Sequence, residues 1–205
     1  MLSVVDSLDE VVGSQRRDEI HQQGLRHRAV HVLVFNSSGE LFLQQRGLHK
    51  QENPGMWDSS VAGHVDAGES YDRCCVREIE EEIGLSLDAI PEALFKLEAS
   101  PITGMEFAWV YRLVSDTDLK PNLDEMQGGA WLCEVDVNDW VDSGAEQLSD
   151  VFQLIWSMFR SSQYVQQDGE TKANHTLFAF ALSYARATSS PMMWIPASTE
   201  AGSWA

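Results

Sequence analysis

One stretch of the sequence, residues 63–85, constrains the fold more than any other part of the chain. It reads GHVDAGESYDRCCVREIEEEIGL, and apolar residues recur at helical spacing over residues 69–83. On such a helix three carboxylates share one face, and these are Glu78, Glu81 and Glu82. The apolar side chains occupy a separate face, about 120° away. The pattern predicts a helix with one face in a core and a carboxylate face directed to solvent.

These carboxylates favour a bound metal ion. Like charges at this spacing repel one another by roughly a few tenths of a kcal/mol per pair, so the helix gains no stability from the arrangement. A bound cation would remove the repulsion. All-oxygen ligands suit Mg²⁺ or Mn²⁺, and Mg²⁺ commonly meets its substrate through phosphate oxygens. The stretch therefore predicts a divalent-metal site that acts on a phosphate-containing molecule.

Composition excludes several classes of protein. Lys and Arg number 14 and Asp and Glu number 32, so the net charge is −18, which argues against a nucleic-acid partner. No stretch approaches the ~18 apolar residues that a transmembrane helix needs, so we expect no membrane association. The three cysteines lack metal-site spacing, and the N-terminus lacks signal-peptide features, which together predict a cytoplasmic protein.

Strand patterns and helix caps indicate an α+β fold. Runs of β-branched and aromatic residues predict strands at residues 28–36, 40–46, 105–114 and 130–135, the first two joined as a hairpin. Ser149 is a candidate N-cap for an amphipathic helix, and Gly84 a candidate C-cap for the carboxylate helix. This order of elements predicts a mixed sheet with helices packed on it. We assign residues 1–165 to one domain. Residues 166–205 form an extension with a predicted helix at 176–186 and a loosely ordered tail.

The stretch at residues 63–85 resembles the Nudix signature. That signature is a Gly, five residues, Glu, seven residues, Arg-Glu-aliphatic, one residue, Glu-Glu, one residue and Gly-aliphatic. Every position is filled, by Gly63, Glu69, Arg77, Glu78, Ile79, Glu81, Glu82, Gly84 and Leu85. The resemblance implies an α/β/α sandwich that holds a loop-helix-loop motif, called the Nudix box. It also implies an enzyme that cleaves diphosphate substrates by metal-assisted attack of water at phosphorus.

The box residues divide into metal ligands and supporting residues. The implied ligands of Mg²⁺ or Mn²⁺ are Glu78 and Glu82, then Glu81, with Glu69 acting structurally or through water. Gly63 lets the loop backbone turn tightly beside the metal ions. Arg77 is expected to orient the carboxylates by forked hydrogen bonds. Glu80 lies off the carboxylate face and is interpreted as a solvated residue.

The similarity extends over roughly residues 1–165, to the Nudix branch related to isopentenyl diphosphate isomerase. Shared features are a His-Arg strand, a QQR strand, a Lys-x-x-x-Pro-Gly-x-Trp loop and a Gly-His turn. His27 and His64 match metal-binding histidines of the isomerases, and Glu106 matches an acidic strand position facing the same site. In a hydrolase the two histidines have an alternative interpretation, as ordinary hydrogen-bonding residues.

Further residues are candidates for substrate binding and proton transfer. Arg46 and Lys50 lie in a neutral N-terminal segment and are the candidate contacts for substrate phosphates. Glu125 resembles the acidic loop residue that many Nudix hydrolases use as a general base or extra ligand. The general base stays open between Glu78, Glu106 and Glu125.

We therefore expect a metal-dependent hydrolase acting on a diphosphate linkage in a nucleoside diphosphate derivative or a related small molecule. Two alternatives are an isopentenyl diphosphate isomerase and a catalytically silent Nudix-fold binding module. The silent module would have lost box carboxylates, and none is lost here. The expected partner is a small-molecule diphosphate. Dimers are common in the family, which makes a homodimer one state to test.

The isomerase alternative has a direct test at Ala62. In the resembling isomerases an essential cysteine lies just before the Gly-His pair, and in this chain that position is Ala62. Without the thiol, half of the acid–base pair for isomerisation is missing. We predict no interconversion of isopentenyl and dimethylallyl diphosphate, measured by chromatography of the products. Isomerisation that is detected, and that Glu106→Gln abolishes, would establish the isomerase instead.

Overall fold

Nine strands and four helices follow one another within residues 1–144 and 146–167, the residues that a computed structural model of the chain describes. The strands are β1 (Leu2–Val5), β2 (Val11–Gln15), β3 (His27–Phe35), β4 (Leu41–Arg46), β5 (Trp57–Asp58), β6 (Val61–His64), β7 (Glu92–Leu97), β8 (Glu106–Val114) and β9 (Met126–Leu132). The helices are α1 (Arg17–Gln23), α2 (Tyr71–Ile83), α3 (Glu134–Asp142) and α4 (Asp150–Gln167). None of the helices in this part of the chain combines the length and apolar character that a bilayer crossing requires.

β3 organises the larger sheet, to which seven of the described strands belong. It runs parallel to β8 along its whole length, which places His27 opposite Glu106. Its other edge pairs antiparallel with β6 and, near its end, with β4. β4 pairs in turn with β5 and β9, and β8 pairs with β7. β1 and β2 form a separate antiparallel hairpin. The predicted mixed sheet is confirmed.

Helices cover both faces of β3. Successive residues of a strand point to opposite faces, and the valines at every second position of β3 join one core cluster with the apolar face of α2. On β3 and α2 these residues are Val30, Val32, Val34, Cys74, Cys75, Ile79 and Ile83. Each fully buried isoleucine contributes about 2 kcal/mol to folding. Phe35 points to the other face, where its ring stacks on Phe159 of α4 with 5.5 Å between centroids. The predicted α/β/α sandwich is confirmed.

Local sequence patterns predicted which segments form strands and helices better than they predicted where each strand or helix ends. Both caps form: the Ser149 hydroxyl accepts the Phe152 N–H at 3.1 Å, and Gly84 is left-handed with φ 69°. The strand predicted at residues 130–135 is wrong at its end, because α3 begins at Glu134. Acidic residues in the first turn of α3 favour a helix start over a strand. The predicted helix at 176–186 and the tail lie outside the described residues.

The compact unit that contains both sheets is Met1–Arg160. Of the second unit, Ser161–Ala205, the structure describes the end of α4. The boundary at residue 165 remains a prediction.

Asp9 fastens the β1–β2 hairpin to the larger sheet. Its side chain is about nine-tenths buried, and its Oδ1 accepts a hydrogen bond from Arg28 Nε at 2.6 Å. Its Oδ2 accepts from Lys96 Nζ at 2.5 Å and from the Tyr71 hydroxyl at 2.9 Å. Burial raises the pKa of Asp9, but the three hydrogen bonds outweigh it and the pKa lies below its ordinary value. The ionised carboxylate is therefore the stabilising form.

We predict that Asp9→Asn lowers the free energy of unfolding by about 2 kcal/mol at pH 7, because it leaves two cations without their shared partner. The folded pKa is below the unfolded value of about 3.9, so the stabilisation is present above pH 4 and is lost as the pH falls through the folded pKa. Urea unfolding at several pH values measures both effects. Asp18→Asn, which breaks the exposed Arg16 pair, is the control and should leave the free energy of unfolding nearly unchanged, because solvent screens this pair. Equal stability of wild type and Asp9→Asn at pH 7 would contradict the prediction.

Candidate active site

Arg77 holds three box carboxylates in a fixed arrangement. Its guanidinium binds Glu69 through two parallel contacts: Nε donates to Oε1 at 3.0 Å and Nη2 donates to Oε2 at 2.9 Å. Its Nη1 donates to Glu78 Oε1 at 2.7 Å and to Glu81 Oε2 at 3.0 Å. Nη2 also donates to the backbone carbonyl of His64 at 3.1 Å, which ties α2 to β6. The hydrogen bonds that Arg77 donates to Glu69, together with the charge of Glu78, raise the pKa of Arg77 despite its partial burial.

Glu78 lies against the backbone of β6 at Gly63. A Cβ atom built on Gly63 would lie 1.9 Å from Glu78 Cδ, far inside any contact distance. Glycine is required at this position because the carboxylate of Glu78 occupies the space of a side chain. Burial raises the pKa of Glu78, and the charge of Arg77 partly offsets that effect.

Glu82 is buried, which corrects the expectation that the carboxylate face is directed to solvent. Only 5% of Glu82 is exposed, whereas the Glu81 side chain is 57% exposed. Glu82 Oε2 accepts hydrogen bonds from Gln44 Nε2 at 3.1 Å and from the Ala62 N–H at 3.3 Å. Burial, together with the charge of Glu78, raises the pKa of Glu82 to about 8. The helix sits deeper against the sheet than its sequence pattern indicates.

One cavity of about 1030 Å³ brings most of the predicted site residues together. They are Arg46, Lys50, Gly63, Arg77, Glu78, Glu81, Glu82, Glu106 and Glu125. Glu69 does not line this cavity, since both of its oxygens bind Arg77. The structure thus separates Glu69, a supporting residue of Arg77, from the carboxylates that face the cavity.

The two candidate phosphate contacts are held by acidic or carbonyl partners. Lys50 forms an ion pair with Glu125, which joins the loop after β4 to the loop before β9. The two loops are also connected by the Gly47 N–H, which donates to the Glu125 carbonyl at 3.1 Å. Arg46 Nε donates to the Glu52 carbonyl at 3.2 Å, and its Nη1 lies 3.7 Å from Asp58 Oδ2. Both cations therefore face the cavity from defined positions.

A second group of potential metal ligands lies beside the same cavity, and three of its four members, His21, His64 and Glu106, line it. It consists of His21, His27, His64 and Glu106, whose ligand atoms all lie within 4.8 Å of one another; we call it the histidine cluster. Glu106 Oε1 lies 2.9 Å from His64 Nε2 and 3.3 Å from His27 Nε2. Burial raises the pKa of Glu106, but the neighbouring imidazoles of His27 and His64 hold it well below its usual range. Sheet register brings His27, His64 and Glu106 together, because β3 pairs with β8 at Glu106 and with β6 at His64, and α1 adds His21.

Two histidines of the cluster use Nδ1 for a contact outside the cluster, which leaves Nε2 available for a metal ion. His27 Nδ1 lies 2.9 Å from the Leu25 carbonyl, so this nitrogen carries the proton. His21 Nδ1 lies 2.5 Å from Glu52 Oε1. The Nε2 atoms of both histidines are buried without a hydrogen-bond partner in the described part of the chain. A hydrogen bond to the other ring nitrogen is the usual support for a metal-bound histidine, so the group fits a metal ion.

Sequence reasoning missed His21. It lies on α1, a seven-residue helix that was not predicted, six positions before His27. The sequence does place His21 six residues before His27, but this spacing alone matches no metal-site pattern. The predicted matches His27, His64 and Glu106 do come together.

Comparison with known proteins agrees with the fold and the box. A family model described as NUDIX domain matches residues 25–154. A Nostoc protein named an uncharacterized Nudix hydrolase is 32% identical, over 76% of this chain and 93% of its own. An isopentenyl-diphosphate Delta-isomerase of Serratia proteamaculans is 35% identical, over 73% of this chain and 79% of its own. The crystal structure of DR0079 from Deinococcus radiodurans matches with a TM-score of 0.66 and 31% identity, over 75% of this chain and 96% of that one.

The sandwich and its carboxylate helix define a Nudix fold with a complete box. The chain belongs to the Nudix family, and its relatives and structural neighbours support a Nudix-type hydrolase with a general pyrophosphate-hydrolysing function.

We predict that the histidine cluster binds Co²⁺ and that His27→Ala or His21→Ala weakens this binding at least about tenfold, because each removes one ligand. Visible absorption during Co²⁺ titration is the measurement. His49→Ala is the control, since His49 is exposed and outside the cluster. Thermal unfolding without metal checks that each variant folds. Wild-type affinity in both cluster variants would contradict the prediction.

Proposed function

We propose that this protein hydrolyses a diphosphate linkage in a nucleoside diphosphate derivative or a related small molecule, by attack of water at phosphorus. The observation that carries the proposal is the convergence of the box carboxylates with Arg46 and Lys50 on one cavity. An anionic diphosphate fits between these two cations on one side and carboxylates that hold cations on the other.

The box carboxylates have the properties of a site for Mg²⁺ or Mn²⁺. Their ligand atoms are all oxygens. Glu78 and Glu82 are both buried, and the charge of Glu78 disfavours the charged form of Glu82. A divalent cation held there supplies neutralisation of the diphosphate oxygens and Lewis-acid activation of water. Glu78 and Glu82 hold the cation in this proposal, and the exposed Glu81 supports it. Gly63 contributes space for Glu78 rather than a ligand atom.

Arg46 and Lys50 bind the diphosphate in this proposal. Arg46 is oriented by the Glu52 carbonyl and by Asp58, so its remaining N–H groups keep one direction. Lys50 is paired with Glu125, and the phosphate oxygens compete with Glu125 for the ammonium group. Binding of the diphosphate thereby releases Glu125 beside the box.

Glu125 is the general base that we favour among the three carboxylates. Glu106 is occupied by His27 and His64, and Glu78 is occupied by Arg77. The Glu125 side chain is 38% exposed, which gives water access to it. Its charge acts on both Glu78 and Glu82, so it lies within electrostatic range of the box.

The histidine cluster supports a second ion in the same cavity. Three imidazoles and one carboxylate suit a first-row transition metal better than Mg²⁺. The two proposed sites share strand β6, since Gly63 meets Glu78 and His64 meets Glu106. We propose that the cluster orders this wall of the cavity.

The test is a panel of nucleoside diphosphates, triphosphates, nucleotide sugars and isoprenoid diphosphates with Mg²⁺ or Mn²⁺. We predict hydrolysis that EDTA abolishes and added Mg²⁺ or Mn²⁺ restores, measured as phosphate release and nucleotide products. Glu78→Gln and Glu82→Gln should each lower kcat by about 10²-fold, because each removes a ligand charge. Glu80→Gln is the matched control on the same helix, since Glu80 is exposed and bonded to Ser86.

Thermal unfolding without metal separates chemistry from folding. Glu82→Gln replaces a buried carboxyl group whose charged form is disfavoured by burial and by Glu78, so the melting temperature should rise or stay level. Full turnover in EDTA on the best substrate, or full activity of Glu82→Gln, would overturn the proposed function.

A further inference from the structure

Gln44 donates the one side-chain hydrogen bond that Glu82 accepts within the described part of the chain. Its Nε2 donates to Glu82 Oε2 at 3.1 Å, and both side chains are almost fully buried. The N–H of Ala62 reaches the same oxygen at 3.3 Å. Two donors converge on Oε2, which leaves Oε1 as the oxygen available to a ligand.

The position of Gln44 is fixed by the sheet. It lies in β4, where it is paired with Gly129 of β9 on one edge and with Asp58 of β5 on the other. A strand that is hydrogen-bonded on both edges cannot shift without breaking its ladders. The amide therefore reaches Glu82 from a rigid support rather than from a loop.

The hydrogen bond from Gln44 also favours the charged form of Glu82, which the surroundings of Glu82 disfavour. Burial and the neighbouring Glu78 both disfavour the charged form of Glu82, the form that a metal ligand needs. N–H donors aimed at a carboxylate oxygen favour the charged form and fix the rotation of the group. Gln44 is suited to both effects, because it carries a donor and no charge.

We propose that Gln44 is a positioning residue for the box metal site, holding Glu82 Oε2 so that Oε1 is the oxygen presented to the divalent cation. The inference rests on the proposed function, since it assumes a cation at Glu82. Gln44 itself touches neither the cation nor the substrate. It acts through Glu82. Residues that hydrogen-bond to metal ligands commonly act in this way, and mutating them lowers the affinity for the metal about 10- to 100-fold.

Gln45 supplies a matched control. It is the next residue of the same strand and its side chain points to the opposite face, where Nε2 donates to the Gly55 carbonyl at 3.2 Å. Gln44→Met keeps the size of the side chain and removes the donor. Gln44→Asn keeps the amide and shortens its reach by one methylene. Gln45→Met applies the same chemical change outside the site.

The experiment is Mn²⁺ binding to the full chain, measured by electron paramagnetic resonance without substrate. Binding that Glu82→Gln removes defines the box site and separates it from ions at the histidine cluster. Gln44→Met and Gln44→Asn should weaken that site about tenfold or more, and Gln45→Met should stay within twofold of wild type. Activity of Gln44→Met should recover as the Mn²⁺ concentration is raised, while its metal-free melting temperature stays near wild type.

Each result has a distinct meaning. Wild-type Mn²⁺ affinity in Gln44→Met overturns the role of Gln44 and leaves the proposed function standing. A similar loss in Gln45→Met overturns it too, because the effect would then be general to the strand. If Gln44→Met does not fold, Gln44→Asn decides in the same way. Absence of any Mn²⁺ site that Glu82→Gln removes would overturn the proposed function, and the role of Gln44 with it.

Discussion

The structure depends on the burial of two carboxylates against the backbone of one short strand. Glu78 fills the space that a side chain on Gly63 would need, and Glu82 accepts the N–H of Ala62. The next residue, His64, gives its carbonyl to Arg77. Three consecutive residues of β6 thus contact side chains of the Nudix box through their main chain. Burying like charges this close is unfavourable by itself, and Arg77 at Glu78 and the Ala62 N–H at Glu82 offset it only in part.

The same strand links the box to the rest of the cavity wall. β6 lies along β3, and β3 lies along β8, so three of the four residues of the histidine cluster, His27, His64 and Glu106, are brought together by strand register. A shift of either pairing by one residue would turn His64 or Glu106 to the opposite face. The cores on the two faces of β3 resist such a shift, because every apolar side chain of the strand would change sides as well.

Much of this fold was predictable because its strongest signals are local. The box helix, the β3–β4 hairpin, the Ser149 cap and the Gly84 cap each depend on residues close together in the sequence. The burial of Glu82 was not predictable, because helical periodicity gives the direction of a face and not its depth against a sheet. His21 and Gln44 were missed for a related reason: their partners lie far away along the chain, 38 residues away for Gln44. α3 was missed because Val135 extends an apolar run that ends in a helix start.

Ala62 serves Glu82 through its N–H and leaves its methyl group out of the contact. The hydrogen bond to Glu82 therefore does not depend on the side chain at this position, provided that the strand keeps its path. A thiol or a methyl group can occupy the same point of the cavity without any rebuilding of the carboxylates. Relatives of this chain are named both as hydrolases and as isomerases, and the main-chain contact at this position is compatible with either side chain.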